Sequence, residues 1–385
     1  MTTAEIITIG TELLLGETVD TNTRFIARTL RGLGVNLFRT ITIGDNAGRI
    51  AETIRESMGR AEIVLTTGGL GPTVDDPTRQ AVADAIGVPV EYRPELWEQV
   101  EQTMRRYGRV PGENQKRQAY VPQGALALEN PVGTAPAFIV ETERNAVISL
   151  PGVPREMEYL LTRSVVPYLQ KRFALHEVIK IRTLHTSGLG EGVVDEKIGD
   201  LETLTNPTVG LSAHSGVIDI RIAAKAGTEA EADGMITALE QDIRSRLGEA
   251  IYGADDDTLD SAALAAAAGR GWTLACIEAG AAGNLLERLA RSGTPVYRGG
   301  DRSEVAASEL PQALRAACAQ RSASAGLGIH VSIQGEQMDV AIVLHTPAGT
   351  EAQQRTYGGH PASVPRWAAN LALDWLRRKA NEVQP

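Results

Sequence analysis

Glycines and carboxylates occur together in short segments of the N-terminal part of the chain, a combination that suits phosphate chemistry. Gly68, Gly69 and Gly71 fall within four positions and are followed by Asp75 and Asp76. Closely spaced glycines let the backbone bend around an anion and turn its N–H groups toward it. Nearby carboxylates can hold a divalent ion such as Mg²⁺, which binds phosphate oxygens and activates water. The segment therefore predicts a phosphate-binding site with an adjacent metal ion.

Three further carboxylates lie in separate polar segments, at Glu12, Asp20 and Asp45. Each of them, and Asp76 at the start of a predicted helix, could equally cap a helix or close a turn. One cap does not account for all of these side chains, so the metal hypothesis depends on their meeting in space. On that hypothesis the candidate catalytic residues are Glu12, Asp75 and Asp76. The candidate ligands of the divalent ion (Mg²⁺, Mn²⁺ or Co²⁺) are Asp20, Asp45 and Asp76.

Apolar runs alternate with amphipathic segments around these residues. This βαβαβα pattern predicts a parallel, doubly wound sheet with helices on both faces, so the fold class is α/β. The loops after its strands meet at the carboxyl edge, where ligands bind in such sheets. The predicted strands span residues 6–9, 36–43 and 62–67, and the predicted helices span 21–33, 47–58 and 77–86.

Two proline-containing turns beyond this pattern carry glycines that could admit a ligand. Gly133 lies in Asn-Pro-Val-Gly-Thr-Ala, and Gly152 lies in Pro-Gly-Val-Pro, before a helix predicted to begin near Arg155. A hairpin is predicted between the turns, over residues 137–140 and 146–150. The structural interpretation is two rigid turns, and the functional one is close approach of an anion to a helix start. The candidate substrate-binding residues are Thr11, Asn22, Gly68, Gly69, Gly71, Thr73, Gly133, Thr134, Gly152 and Arg155.

The pattern changes from about residue 172 to that of a small α+β module. Its strand, helix, long hairpin and second helix are predicted at 178–183, 191–201, 209–224 and 229–247. Asp255, Asp256 and Asp257 follow as an acidic linker. The last segment has predicted helices at 261–268 and 364–378 and a strand at 273–277. Three domains are predicted, at residues 1–171, 172–254 and 255–385.

Composition narrows the functional classes. The net charge of −10 disfavours attraction to nucleic acid, although glycine loops and metal ions can still hold a small anion. No apolar run approaches the length of a membrane span, and the N-terminus lacks the basic start of a signal peptide. We therefore expect a cytoplasmic protein with a small-molecule substrate and no membrane partner. Cys276 and Cys318 are expected to be small core residues.

The ordered motifs of the chain resemble the competence/damage-inducible CinA family over essentially its whole length. They include Gly-Thr-Glu-Leu-Leu at 10–14, Asp-Thr-Asn at 20–22, Gly-Gly-Leu-Gly-Pro-Thr at 68–73 and Pro-Gly-Val-Pro-Arg-Glu-Met at 151–157. The resemblance implies a first domain similar to molybdopterin-binding proteins of the MoaB/MogA type. In characterised relatives this domain is associated with metal-dependent hydrolysis of ADP-ribose to AMP and ribose 5-phosphate. The family also suggests a homodimer.

The middle segment resembles the KH-like module of the family, a name that suggests RNA. Acidic residues outnumber basic ones there, whereas nucleic-acid modules are usually basic, so we interpret it as a packing or dimerisation module. His185 and His214 lie at strand positions and could ligate a metal, but the sequence shows no third ligand.

The last segment resembles nicotinamide-nucleotide amidases, whose Glu-Ser-Cys-Thr-Gly-Gly turn carries the nucleophilic serine. Ala279 stands at that serine position, and the chain has no lysine between Lys225 and Lys379 to replace the family's basic residue. Covalent acyl transfer needs a nucleophile and a base. Cys276 is a poor substitute because it lies within an apolar strand. We interpret this domain as a degenerate amidase that is a structural remnant or an interaction module.

Three functions follow in order of support. The first is a metal-dependent pyrophosphohydrolase acting on ADP-ribose or a related nucleotide diphosphate. The second is a non-catalytic protein that binds a pterin or a nucleotide in the same pocket. The third, which the residues at the degenerate turn oppose, is an active amidase.

Overall fold

The computed structural model describes residues 2–335 and 337–382 and divides into two compact units. The first unit contains residues 1–180 and 225–232, and the second contains 181–224 and 233–385. Most residues of the middle segment therefore belong to the same unit as the last segment.

The first unit is built around a six-stranded sheet of order β2-β1-β3-β8-β7-β6. Strands β2, β1, β3 and β8 are parallel neighbours, and β7 and β6 are antiparallel to the strands beside them. The elements are β1 Thr3–Ile9, α1 Thr11–Leu14, α2 Thr21–Gly32, β2 Asn36–Ile43, α3 Ala47–Met58, β3 Ile63–Thr67, α4 Thr78–Ile86, β4 Val90–Tyr92, α5 Pro94–Arg106, β5 Tyr120–Pro122, β6 Leu126–Leu128, β7 Ala137–Glu141, β8 Ala146–Leu150, α6 Pro154–Leu160 and α7 Val166–Phe173.

Successive residues of the central strands enter two different cores. Ile6 and Leu65 pack with α2, α6 and α7 on one face, whereas Ile7 and Val64 pack with α3, α4 and α5 on the other. This alternation follows from the two-residue period of a strand. The doubly wound α/β prediction is thus confirmed, with helices on both faces of a mostly parallel sheet.

The middle segment forms a four-stranded sheet of order β10-β11-β9-β12 with two helices. The long hairpin predicted from the sequence is present, because β10 and β11 pair antiparallel around a turn at Ser215 and Gly216. The elements are β9 Val178–Ser187, α8 Glu191–Glu202, β10 Thr208–His214, β11 Val217–Ala226, α9 Glu229–Leu247 and β12 Ile251–Ala254.

The acidic stretch after β12, predicted as a linker, is a hydrogen-bonded turn. The Asp255 carboxylate accepts from Arg182 Nη1 at 2.8 Å and from the Thr183 N–H at 3.0 Å. Asp257 Oδ2 accepts from the Ala254 N–H at 2.8 Å. Carboxylates that satisfy nearby donors fix a turn and do not act as a solvated spacer.

The last segment contains a sheet of order β14-β13-β15-β16-β17, parallel at β13 and antiparallel from β15 onward. Its elements are α10 Leu259–Gly269, β13 Leu274–Ala279, α11 Asn284–Arg291, β14 Tyr297–Arg302, α12 Leu310–Gln320, β15 Ala325–Gln334, β16 Gln337–Thr346, β17 Gly349–Tyr357 and α13 Val364–Asn381.

Helix α13 joins this sheet to the middle one within the second unit. Asp374 binds the guanidinium groups of both Arg377 and Arg378, at 2.7 Å each. Arg377 then donates to the Glu249 carbonyl at 2.6 Å, and Arg378 donates to the Ser187 carbonyl at 3.0 Å. Two buried or half-buried arginines on one helix thus satisfy backbone groups of the middle segment.

Candidate functional site

The loops that follow β1, β3 and β8 meet at the carboxyl edge of the first sheet. Gly68 has φ +107°, and a Cβ there would collide with the Ile9 carbonyl oxygen at the end of β1. A Cβ on Gly152 would lie 3.3 Å from the Gly68 Cα. Gly69, with φ +65°, has no room for a Cβ beside the Thr78 hydroxyl. Glycine is therefore required where the three loops touch.

Asn22 ties two of these loops together from the first turn of α2. Its Nδ2 donates to Thr67 Oγ1 at 3.0 Å and to the Gly152 carbonyl at 2.8 Å. The side chain is buried, and its Oδ1 has no hydrogen-bond partner among the described residues. An amide oxygen left without a donor is a ready acceptor for a ligand. Asn22 is one of the residues that line a small cleft of about 110 Å³, together with Glu12 and Asp20.

A buried arginine that the sequence reasoning missed shapes the glycine loop. Arg79, on the first turn of α4, donates to the Leu70 carbonyl at 2.6 Å and to the Gly71 carbonyl at 3.2 Å. Burial lowers the pKa of Arg79 to about 10, and the charge of Asp76 acts in the opposite direction. The guanidinium therefore remains charged at neutral pH and neutralises part of the acidic loop.

Each predicted metal ligand already accepts local hydrogen bonds. Asp20 caps α2, accepting from Thr23 N at 2.9 Å on one carboxylate oxygen and from Thr23 Oγ1 at 2.5 Å on the other. Asp45 Oδ2 accepts from both the N–H and the hydroxyl of Thr11, each at 2.8 Å. Residues 2–335 and 337–382 contain no group of three or more His, Cys, Asp or Glu side chains placed to hold a metal ion. The three carboxylates thus do not form a ready cage.

Asp76 acts within its own loop. Its Oδ2 accepts from the Thr73 N–H at 2.8 Å and from the Thr73 hydroxyl at 2.6 Å, and its carboxylate lies against Gly71. It does not cap α4, because Pro77 occupies the N-cap position and makes no side-chain hydrogen bond there. The other two predicted catalytic residues, Asp75 and Glu12, are exposed on the loops of the same edge.

The second predicted segment is held by Asn130 and Glu156. Asn130, fully buried, donates from Nδ2 to the Ala135 carbonyl at 2.9 Å and to Glu156 Oε2 at 2.6 Å. The Glu156 carboxylate lies directly against Gly133, which leaves no room for a Cβ. Burial raises the pKa of Glu156 above its ordinary value, and the Asn130 bond only partly offsets this. The sequence motif contained both residues, but nothing in their spacing showed this pairing.

A 3₁₀ turn at Glu113–Ala119 links that segment to the glycine loop. Arg117 Nη1 donates to the Pro72 carbonyl at 3.5 Å, while the adjacent Gln118 donates to Thr134 Oγ1 at 3.3 Å. Neighbouring residues therefore contact both loops, which brings Gly133 and Thr134 toward the predicted phosphate site. Arg155 is exposed on the first turn of α6.

The position predicted from the sequence to be the degenerate amidase site is a buried methyl group. Ala279 ends β13 with 3% of its surface exposed. Beside it, the Glu278 carboxylate accepts from the N–H groups of Gly283, Leu285 and Leu286, the last two at 3.0 and 3.1 Å. The backbone donors after this strand are thus occupied by the protein's own carboxylate.

Cys276, the alternative nucleophile, is fully buried in β13. Burial raises the pKa of its thiol far above the ordinary value. A protonated thiol without access to solvent is a poor nucleophile.

The described helices include none with the length and hydrophobicity needed to cross a bilayer.

Comparison with known proteins gives matches along most of the chain. Residues 5–171 match the family described as a probable molybdopterin binding domain, and residues 181–253 match the damage-inducible protein CinA KH domain. A putative competence-damage inducible protein of Halothermothrix orenii is 38% identical over 286 residues, which are 74% of this chain and 69% of the relative. A CinA-like protein of Synechococcus sp. (strain CC9902) is 37% identical over 303 residues, 78% of this chain and 72% of the relative.

Two solved structures match a part of this chain. The protein CinA with unknown function from Thermoplasma acidophilum is 34% identical, with a TM-score of 0.40, and the match covers 44% of this chain and 96% of that one. The molybdopterin biosynthesis enzyme MoaB of Thermus thermophilus is 21% identical, with a TM-score of 0.33, over 46% and 96% of the two chains.

Proposed function

The chain belongs to the CinA family, and we propose that its N-terminal pocket is a metal-dependent pyrophosphohydrolase site for ADP-ribose or a related nucleotide diphosphate. The observation that supports this is the meeting of three strand-end loops, at Gly10, Gly68 and Gly152, beside a cleft lined by Glu12, Asp20 and Asn22, whose Oδ1 has no partner among the described residues. Backbone N–H groups of the glycine loop and the start of α4 favour a diphosphate.

The carboxylates fit a divalent ion unequally. Asp45 and Asp76 each use Oδ2 for local hydrogen bonds, so the Oδ1 atoms are the ones to offer to an ion. Asp20 uses both oxygens on Thr23 and fits the role least well. Hard oxygen donors of this kind, completed by water and substrate phosphate, suit Mg²⁺, Mn²⁺ or Co²⁺. When bound, such an ion would neutralise phosphate charge and lower the pKa of a water molecule.

The chain's own residues would orient the substrate and deprotonate the attacking water. Glu12 is exposed at the cleft and is the residue that we assign as general base toward water. The glycine-loop N–H groups would hold the diphosphate, and Asn22 Oδ1 would accept from a ribose hydroxyl or a base N–H. Asp75, at the exposed tip of the loop, would contact the ion or a water bound to it.

The test is direct. Incubating the purified protein with ADP-ribose, with and without added divalent ions, should release AMP and ribose 5-phosphate only when the ion is present. Asp76→Asn should lower the rate by about a hundredfold or more, since a ligand charge is lost while the fold is kept. Asp84→Asn is the matched control, because it removes an exposed carboxylate on α4 outside the loop. Full activity of Asp76→Asn would contradict its role.

A second candidate function is non-catalytic binding of a pterin or nucleotide. The observation that favours it is that the predicted metal ligands already accept local hydrogen bonds. Saturable binding of ADP-ribose by calorimetry, with no product under any divalent ion, would select this alternative.

We also propose that the protein acts as a homodimer. Apolar side chains are exposed at Phe38 (77%), on the edge strand β2, and at Leu15 (67%) and Val19 (82%), between α1 and α2. Exposed apolar surface is often buried by association. Light scattering coupled to gel filtration measures the mass, and a monomer at micromolar concentration would reject the dimer.

A further inference from the structure

A cleft of about 560 Å³ opens within the second unit. It is distinct from the pocket that residues 280–283 line, although the next residue, Asn284, borders it. One wall is the middle sheet with His185 and Tyr252, and the other is formed by α11 and α13. Arg288 and Arg291 project into it from α11, and Arg366 projects from the first turn of α13.

Arg288 is fixed in this cleft by two partners. Its Nη1 donates to Asn370 Oδ1 at 2.9 Å, and its Nη2 lies 2.5 Å from Asp260 Oδ1. Asn370 is in turn held by the Ser215 carbonyl at 3.0 Å. An arginine whose rotamer is fixed in this way loses little entropy when it binds a ligand.

The other two arginines have donors to spare. Arg366 is exposed and makes no hydrogen bond or ion pair to another described residue. Arg291 is 80% exposed, with Glu287 at 4.0 Å as its acidic neighbour. Glu287 is already bound by Arg302 at 2.7 Å. Two guanidinium groups therefore face the opening of the cleft without a close carboxylate.

The acidic residues of the cleft are largely neutralised. His185 places Nδ1 at 2.7 Å from Asp219 Oδ1 and Nε2 at 2.9 Å from the Asp255 carbonyl. Both partners accept hydrogen bonds, an arrangement that favours the doubly protonated ring. Burial lowers the pKa of His185, but the hydrogen bonds to Asp219 and the Asp255 carbonyl outweigh it, and the net pKa is raised.

With Asp219 paired to His185 and Asp260 paired to Arg288, Asp257 is the remaining acid that lines the cleft. Its carboxylate is occupied by the Ala254 N–H. Three arginines line the cleft and match its three aspartates in number. The cleft therefore gathers guanidinium groups that can bind phosphate, in a chain whose net charge is −10.

We propose that this cleft binds a small phosphate monoester, the size of a sugar phosphate or a nucleoside monophosphate. Arginine forks match the geometry of phosphate oxygens, and the monoester adds a polar body that a cleft of this volume can enclose. The half-buried ring of Tyr252, stacked on His185 at 5.7 Å between centroids, gives the body one flat wall. This proposal is independent of catalysis in the N-terminal pocket.

The test uses the full chain and a readout local to the cleft. Ribose 5-phosphate is titrated at constant ionic strength while the Cε1–H signals of His185 and His214 are followed by NMR, each signal being assigned with its His→Gln variant. We expect saturable shifts of these signals. Ligand bound only at the N-terminal pocket would leave them in place, so the two sites are distinguishable.

Arg366→Gln and Arg291→Gln should each weaken binding by about tenfold, as expected for one lost charge-assisted hydrogen bond. Arg315→Gln, on an exposed position of α12, is the matched control and should leave the affinity unchanged. Because Arg366, Arg291 and Arg315 are exposed, their variants should keep the wild-type melting temperature.

Three outcomes would overturn the proposal. Shifts that do not saturate, or that survive both cleft substitutions, would exclude these arginines from binding. Inorganic phosphate binding as tightly as ribose 5-phosphate would reject the monoester in favour of a plain anion site. Ribose binding as tightly as its phosphate would show that the charge is not recognised.

Discussion

At the scale of single residues, Glu278 holds the shape of the turn after β13. Its carboxylate accepts from the N–H groups of Gly283, Leu285 and Leu286 at the start of α11. The amidase turn Glu-Ser-Cys-Thr-Gly-Gly begins with the same residue type, so Glu278 does not itself oppose acyl transfer. The residue that opposes it is Ala279, at the position where that turn has its serine.

We predict that the protein has no nicotinamide-nucleotide amidase activity and that Ala279→Ser alone does not restore it. The hydroxyl would be buried and would have no lysine as base. Ammonia release from nicotinamide mononucleotide, measured at high enzyme concentration, should stay at background for both proteins. Metal-independent turnover by the wild type that Cys276→Ala abolishes would show that the buried thiol had become the nucleophile.

Arg79 gives a second prediction at this scale. Arg79→Met keeps most of the volume but leaves the Leu70 and Gly71 carbonyls without their donor. The free energy of unfolding should fall by about 3 kcal/mol, the cost of breaking charged hydrogen bonds in a buried site. Urea titration measures it, and Arg28→Met, on the exposed face of α2, serves as the control. An unchanged midpoint would mean that the loop holds its shape without the guanidinium.

At the scale of elements, the sequence predicted the central parallel strands and their helices well, because apolar periodicity is strong there. The helix predicted over residues 229–247 coincides with α9, and the strand predicted over residues 36–43 coincides with β2. Strand β17 was not predicted, because most of its residues are exposed and show no alternation. Helix α5 was missed as well, since Leu96 and Val100 are its only buried apolar residues.

The candidate site was predictable in its loops but not in its contacts. The glycine loop and its carboxylates are local motifs that a reader of the sequence can recognise. The buried Arg79, the Asn130–Glu156 pair and the joint binding of Asp219 by His185 and His214 bring together groups on different elements. No spacing rule along the chain anticipates such pairs.

The His185 contact on β9 leads to a pH prediction for the second unit. The pKa of His185 is raised in the folded protein. Protonation of His185 therefore stabilises the fold fully at pH values below the pKa of a histidine in the unfolded chain, which is roughly 6.5. That stabilisation is lost as pH rises through the raised folded pKa. Chemical unfolding at a series of pH values should show it, and His185→Gln should remove it. His176→Gln, an exposed control, should not. A pH profile that is the same in wild type and His185→Gln would contradict the assignment.

At the scale of the whole molecule, charge decides the partners. The net charge of −10 and the acidic balance of the middle segment oppose binding to phosphate backbones, despite the match to a KH domain. We predict no useful affinity of the full chain for single-stranded RNA at physiological salt. Fluorescence anisotropy with a labelled oligonucleotide tests this, with the same titration at low salt as the control. A dissociation constant below one micromolar at physiological salt would reject the prediction.

Because α13 is attached to the middle sheet, loss of a single catalytic residue and loss of the whole last domain have different consequences for the fold. A catalytic serine can be lost by one substitution, and the fold does not register the change. Loss of the whole last domain, by a frameshift or an early stop codon, would also strip Arg377 and Arg378 from the Glu249 and Ser187 carbonyls, leaving those acceptors without their donors. A folded middle module therefore depends on the last domain, whatever the chemistry at position 279.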